Sequence, residues 1–177
     1  VSHKFDVKHI IRLIATSSVY QLGSEPTAYN KNDHQNFARY YARRMPAEVF
    51  LDAVNQVTGN KSGFSGISAN GRAIDLPHEN FGSYFLDTFD RPKRVTGCEC
   101  ERSTGATLAQ VLLLANSDEM EGKINATQGR LAKLIKLNLP APEVIDTLYQ
   151  VSFSRLPTAK EKARSLDHVN KSDNKQQ

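Results

Sequence analysis

A chain of 177 residues, 39% hydrophobic and 24% charged, is long enough to bury a core and too apolar for wholesale disorder. Its 23 basic and 19 acidic residues leave a net charge of +4, with the signs mixed along the chain. A nucleic-acid footprint would be a basic face interleaved with aromatics; the nearest approach is Arg39-Tyr40-Tyr41-Ala42-Arg43-Arg44, and no nucleic acid is expected among the partners. No window reaches the roughly 18 consecutive apolar residues of a membrane span. The N-terminus lacks an initiator methionine and a signal-peptide apolar segment, so the chain reads as a piece of a longer protein.

Asp6 is placed to cap a helix whose Val7, Ile10, Ile11 and Ile14 recur at helical spacing, ending near Ser18. A polar connection follows to Asp33, which can cap a short helix bearing Phe37, Tyr40 and Tyr41. Pro46 suits the first position of a strong helix with a buried stripe of Val49, Phe50, Ala53, Val54 and Val57, stopped by Gly59. Glu48 and Asp52 lie one turn apart there. Such carboxylates can work as an acid/base pair, but an ion pair with Arg43 or Arg44 is the favoured reading. Residues 60–80 form a long glycine-rich loop, with a short extended piece at 72–76.

Tyr84, Phe85 and Phe89 mark one or two apolar turns before Pro92. Thr104 or Thr107 starts a helix with Leu108, Val111, Leu112 and Ala115 as its buried face. Asp118 and Glu119 begin another, through Ile124, and a further one carries Leu131, Leu134, Ile135 and Asn138. Val144, Ile145, Leu148 and Val151 pattern the next, after Pro140 and Pro142. Thr158 and Glu161 have the spacing of a capping box, opening a polar terminal helix. The expected fold is all-α, a compact domain of roughly seven helices over 1–170, with one irregular loop at about 60–80 and a disordered tail at 171–177.

The segment around Cys98 and Cys100 gathers Asp87, Asp90, Arg91, Lys93, Arg94, Glu99, Glu101 and Arg102. A CxC pair is not the CxxC spacing of zinc ribbons; with Glu99, Glu101 and His78 it can still complete a metal shell, or close a strained, reducible disulfide. The favoured reading is two small buried residues beside a network of arginine–carboxylate pairs, with no resident cofactor. Asp87, Arg91, Cys98, Glu99, Cys100, Glu101 and Arg102 are therefore the candidate functional segment, and Arg44, Glu48 and Asp52 a secondary set.

Taken in order, several pieces resemble a known family. They are Ile11-Arg12-Leu13-Ile14 with Ser17 and Tyr20, Arg43-Arg44-Met45-Pro46-Ala47-Glu48, and Asp52-Ala53. Then come Tyr84-Phe85-Leu86-Asp87-Thr88-Phe89, Arg91-Pro92, Cys98-Glu99-Cys100-Glu101-Arg102-Ser103, Thr107-Leu108-Ala109-Gln110, and Ser154-Arg155-Leu156-Pro157-Thr158 with Glu161. From Val7 to about Val169 the chain is similar to the planctomycete-type domain of unknown function called "PSD", found at the end of large proteins with cytochrome-c-like domains. Gly97 and Asp90 depart slightly from that pattern. The resemblance implies an exported bacterial protein, periplasmic or in the cell envelope, and a C-terminal module; it implies no activity.

Helical stripes without a catalytic constellation suggest a non-catalytic interaction or scaffold module, its partners being other domains of the parent protein or cell-envelope proteins. The alternatives are a thiol-redox or metal module built on Cys98 and Cys100, and a hydrolase drawing carboxylates from the Glu48–Asp52 helix and the Asp87–Glu101 segment.

Overall fold

Asp6 begins the first helix by local chemistry alone. Its carboxylate accepts the N–H groups of Lys8 and His9, and α1 runs Val7–Ala15. The computed structural model describes residues 3–33, 35–68, 71–93 and 105–172. It divides into two compact units, Val1–Arg44 and Met45–Gln177. Among the described residues there are eight α-helices, one 3-10 turn and no strand, with seven of the eight helices in the second unit.

In the first unit, α1 buries none of its residues. Val7, Ile10, Ile11 and Ile14 are all more than half exposed. Among the described residues, the short helix expected after Asp33 does not form. The Asp33 carboxylate instead accepts the N–H groups of Gln35, Asn36 and Ala38, which holds the chain in a loop. Those three bonds, with the Tyr41 hydroxyl, hold Asp33 down at about 2, the Asn36 N–H contributing most and the Gln35 N–H next.

The second unit is organised on α2, Ala47–Thr58, with Pro46 as its N-cap. Its buried side differs from the expected stripe. Ala47, Glu48 and Leu51 are the buried residues, while Phe50 and Val54 are half-buried against the core. Helix α2 is covered from more than one direction: α3 (Tyr84–Thr88), α5 (Asp118–Ile124), α6 (Arg130–Lys136), α7 (Ala141–Phe153) and the 3-10 turn Ala73–Asp75 all contact it. That turn replaces the extended piece expected at 72–76, because both Asp52 carboxylate oxygens accept N–H groups there, Ala73 at 2.7 Å and Ile74 at 3.1 Å.

Ser83 caps α3, which brings Phe85 and Leu86 to full burial beside Leu51. Phe50, Phe85 and Phe89 form the aromatic centre, with ring centroids 4.6–5.5 Å apart. Gly59 ends α2 at φ +68, and a Cβ there would lie 3.1 Å from the Arg130 backbone nitrogen. The Arg130 guanidinium donates to Val57 and Gln56 carbonyls at 2.8 and 3.0 Å, satisfying open acceptors in the last turn of α2.

A Thr107–Gln110 capping box starts α4, Leu108–Asn116. The face expected to be buried is the outer one: Leu108, Val111 and Leu112 are 73%, 57% and 50% exposed, and Ala115 is exposed as well. Gln110 and Leu113 are buried instead, because the Gln110 amide donates to the Thr88 carbonyl at 3.0 Å and to Asp90 at 3.2 Å. Ser117 caps α5, and Thr158 with Glu161 caps α8, Ala159–Lys171, through the anticipated box. Helices α7 and α8 pack on each other, joined by Lys162–Asp146 at 2.6 Å. Most of the tail expected to be disordered, residues 173–177, lies outside the described residues.

Candidate functional site

The apolar turn of α3 positions the half of the candidate segment that the structure describes. After Thr88 the chain reverses through Asp90, whose φ of +59 is left-handed, and the Arg91 N–H returns to the Leu86 carbonyl at 2.9 Å. This reversal carries the Arg91 guanidinium back over α3, where Nη2 donates to Asp87 Oδ1 at 2.8 Å. The pair is asymmetric: the Arg91 side chain is 7% exposed and that of Asp87 is 62% exposed. Arg91 Nη1 is buried and makes no hydrogen bond among the described residues. A cavity of about 1060 Å³ opens beside it, lined by Glu79, Asn80, Asp87, Asp90, Arg91 and Lys93.

Three acids and two cations share that wall. The mixture suits an ion-pair network better than recognition of a single charge sign. The remainder of the segment, Cys98, Glu99, Cys100, Glu101 and Arg102, lies outside the described residues, and with it the thiol and metal readings. Among the described residues no three His, Cys, Asp or Glu side chains gather in a way that could hold a metal ion.

Glu48 and Asp52 of the secondary set both stand on α2. Asp52 spends both oxygens on the Ala73 and Ile74 N–H groups, a structural clamp between α2 and the loop. Glu48 is 4% exposed at the start of α2, on its buried side. A cavity of about 460 Å³ beside Asp52 is also bordered by Asn55, Lys61 and Arg72. Arg72 and Asp75 form a surface pair at 3.0 Å, in which the guanidinium lowers the Asp75 carboxyl and the carboxylate raises Arg72.

A family model described as "PSD1: Protein of unknown function (DUF1553)" matches residues 1–169. The chain belongs to the PSD1 family. No curated protein and no solved structure matches it significantly.

In this PSD1 chain the sequence reading missed a third cluster, at Lys123. This lysine of α5 is only 6% exposed. Its ammonium donates to Asn55 Oδ1 at 2.7 Å and to Ser62 Oγ at 2.8 Å, partners 68 and 61 residues away. Ser62 Oγ also reaches Asn55 Oδ1, at 3.1 Å. Burial pushes the Lys123 ammonium below the usual lysine range, with Glu119 opposing the shift. The one local signal is spacing: Lys123 follows the buried Met120 by three residues, on the inward side of α5.

Proposed function

We propose that the chain is a helical interaction module of an exported, multidomain bacterial protein, and that α1 is its docking element. One observation carries this reading: α1 has a full apolar stripe, and its Val7, Ile10, Ile11 and Ile14 stand 52–68% exposed. An apolar stripe of that size on an exposed surface is characteristic of a protein-binding element. Helices of this kind lay their apolar side into a groove on a partner. Charge supports the same view. Residues 1–44 hold seven basic residues against three acidic ones, a balance of 7 − 3 = +4, which equals the net charge of the whole chain. The groove that fits is therefore apolar with an acidic rim, on another domain of the parent protein or on a cell-envelope protein. The exported setting comes from the family likeness.

The test is binding of the 177-residue chain to the upstream part of its parent protein, with and without Ile10→Asp/Ile14→Asp. The double variant is expected to lose at least about tenfold in affinity, since two buried aliphatic side chains each contribute on the order of 1 kcal/mol or more. Its thermal midpoint should match that of the unsubstituted chain. Unchanged affinity overturns the reading, and so does a lowered midpoint, which would mean that the apolar stripe is already used in folding.

A further inference from the structure

The Lys123 cluster lies wholly in the second unit and is independent of docking by α1. Two facts about it are unusual for a purely structural lysine. Its two hydrogen-bond partners are uncharged, and one of them is a serine hydroxyl on the wall of an open cavity. That cavity, about 250 Å³, is bordered by Ser62, Gly63, Gly82, Tyr84, Glu119 and Lys123. A second cavity of about 210 Å³ shares Gly63, Phe64 and Gly82 with it and continues between Phe64 and Phe81, whose rings meet edge to face at 6.5 Å. A Cβ built on Gly63 or Gly82 would meet nothing within 4 Å, so the rim leaves room for a ligand against bare backbone.

We propose that Ser62 and Lys123 are a nucleophile and its general base, and that this pair transfers a short acyl group from an ester through a serine-bound intermediate. Serine–lysine pairs perform acyl transfer on several unrelated folds, and they are recognised by geometry rather than by sequence position. The geometry here has the required parts. Ser62 Oγ and Lys123 Nζ are 2.8 Å apart, within direct proton-transfer reach. Asn55 Oδ1 holds both groups, at 2.7 and 3.1 Å, and so orients the base. Among the described residues, the N–H groups of Gly63 and Phe64, immediately after the nucleophile, donate to no backbone carbonyl. In the proposed reaction these two N–H groups are the oxyanion donors. The slot between Phe64 and Phe81 is small, and Ser65 and Asn80 line it beside the two rings, which fits an acetyl-sized group with a polar carbonyl.

In the first step Ser62 Oγ attacks the ester carbonyl carbon while its proton passes to the neutral Lys123 amine. The C–O bond to serine forms and the carbonyl electron pair moves onto oxygen. The tetrahedral adduct then collapses, the leaving alkoxide takes the proton from Lys123, and an alcohol departs. Water, deprotonated by Lys123, attacks the acyl-serine; a carboxylic acid leaves and the Ser62 hydroxyl is restored. Lys123 must be uncharged to begin. The groups that face it are Asn55 from α2, Ser62 from the following loop, Tyr84 from α3 and Glu119 from its own helix, so burial works against a single acidic neighbour.

The experiment is incubation of the 177-residue chain with p-nitrophenyl acetate, following nitrophenol release and locating the acetyl adduct by intact and peptide mass. One acetyl group on Ser62 is expected, formed faster as pH rises through the titration of Lys123. Ser62→Ala should abolish it. Lys123→Arg, which keeps a cation and its donors to Asn55 but cannot act as a base, should slow it by about 100-fold or more while retaining the helical circular dichroism of the parent. Acetylation of Lys123 itself, equal labelling or equal nitrophenol release by Ser62→Ala, or neither a Ser62 adduct nor nitrophenol release above background would overturn the proposal.

Discussion

The two units of this PSD1 chain solve opposite problems. The second, Met45–Gln177, has 16 basic and 16 acidic residues and so no net charge, and it surrounds a core in which Leu51, Phe85 and Leu86 are fully buried. The first, Val1–Arg44, holds the whole net charge of +4 and buries none of the apolar residues of its helix. Its order comes from carboxylates, Asp6 at the helix start and Asp33 in the loop, each binding backbone N–H groups. One region is held by what it hides, the other by short-range hydrogen bonds. The contrast explains why apolar side chains of similar size should matter so differently in the two.

The sharpest way to break the contrast is a pair of truncations. Phe85→Ala removes a fully buried ring that stacks on Phe89 at 4.6 Å and should cost about 3–5 kcal/mol in urea unfolding. Ile11→Ala removes a side chain 59% exposed and should change stability by less than about 0.5 kcal/mol. Similar losses for both would show that α1 is part of the cooperative core, and the comparison would fail.

A second test asks whether a carboxylate does the same work in each unit. Asp52→Ala leaves the N–H of the buried Ala73 without its acceptor and should cost about 1–3 kcal/mol of global stability. Asp33→Ala also strips acceptors, from Gln35, Asn36 and Ala38, but should loosen only its own loop. Hydrogen exchange separates the two: faster exchange at 35–38 with an unchanged unfolding midpoint is expected for Asp33→Ala. A lowered midpoint there would place the loop in the cooperative fold.

A smaller effect is expected at Gly59. Alanine there must adopt φ +68 and bring its Cβ to 3.1 Å from the Arg130 nitrogen, so Gly59→Ala should cost about 1–2 kcal/mol by thermal unfolding. A neutral result would mean that the junction of α2 and α6 yields easily.

What could be read from the sequence follows the range of the interaction that decides it. Asp6, Thr107 with Gln110, Thr158 with Glu161, and Gly59 act within about one helical turn, and all serve as their spacing suggests. Asp33 has the same chemistry, but three N–H groups of a loop outcompete a helix start, and the pattern 33–41 gives no sign of that. Helix α4 failed for another reason. LAQVLLLAN is apolar nearly all round, so periodicity points nowhere, and the buried side is chosen by Gln110 reaching Thr88 and Asp90 at the end of α3. The candidate site was legible only in part. Arg91 and Asp87 are four apart and do pair. Lys123 meets Asn55 and Ser62 across more than 60 residues, where no local pattern reports the contact.

The mildest prediction concerns acid. Glu161 in the second unit and Asp33 in the first are both held down at about 2, Glu161 chiefly by the Arg155 guanidinium at 2.8 Å and then by the Thr158 N–H and hydroxyl. An acid depressed by folding binds protons more readily when unfolded. Its stabilisation is therefore complete above the ordinary carboxylate value, 4.5 for Glu161 and 3.8 for Asp33, and is lost as pH falls through about 2. The consequence should differ between the units. The thermal midpoint of the parent should exceed that of Glu161→Gln above pH 5, converge with it near pH 2, and differ less in high salt, because the Arg155 pair is half exposed. Asp33→Asn should leave the midpoint unchanged at every pH and appear only as earlier exchange of the Gln35, Asn36 and Ala38 amides. A midpoint that follows Asp33 as closely as Glu161 would tie loop and core into one titrating unit, and the distinction between a region held by burial and one held by local bonds would no longer stand.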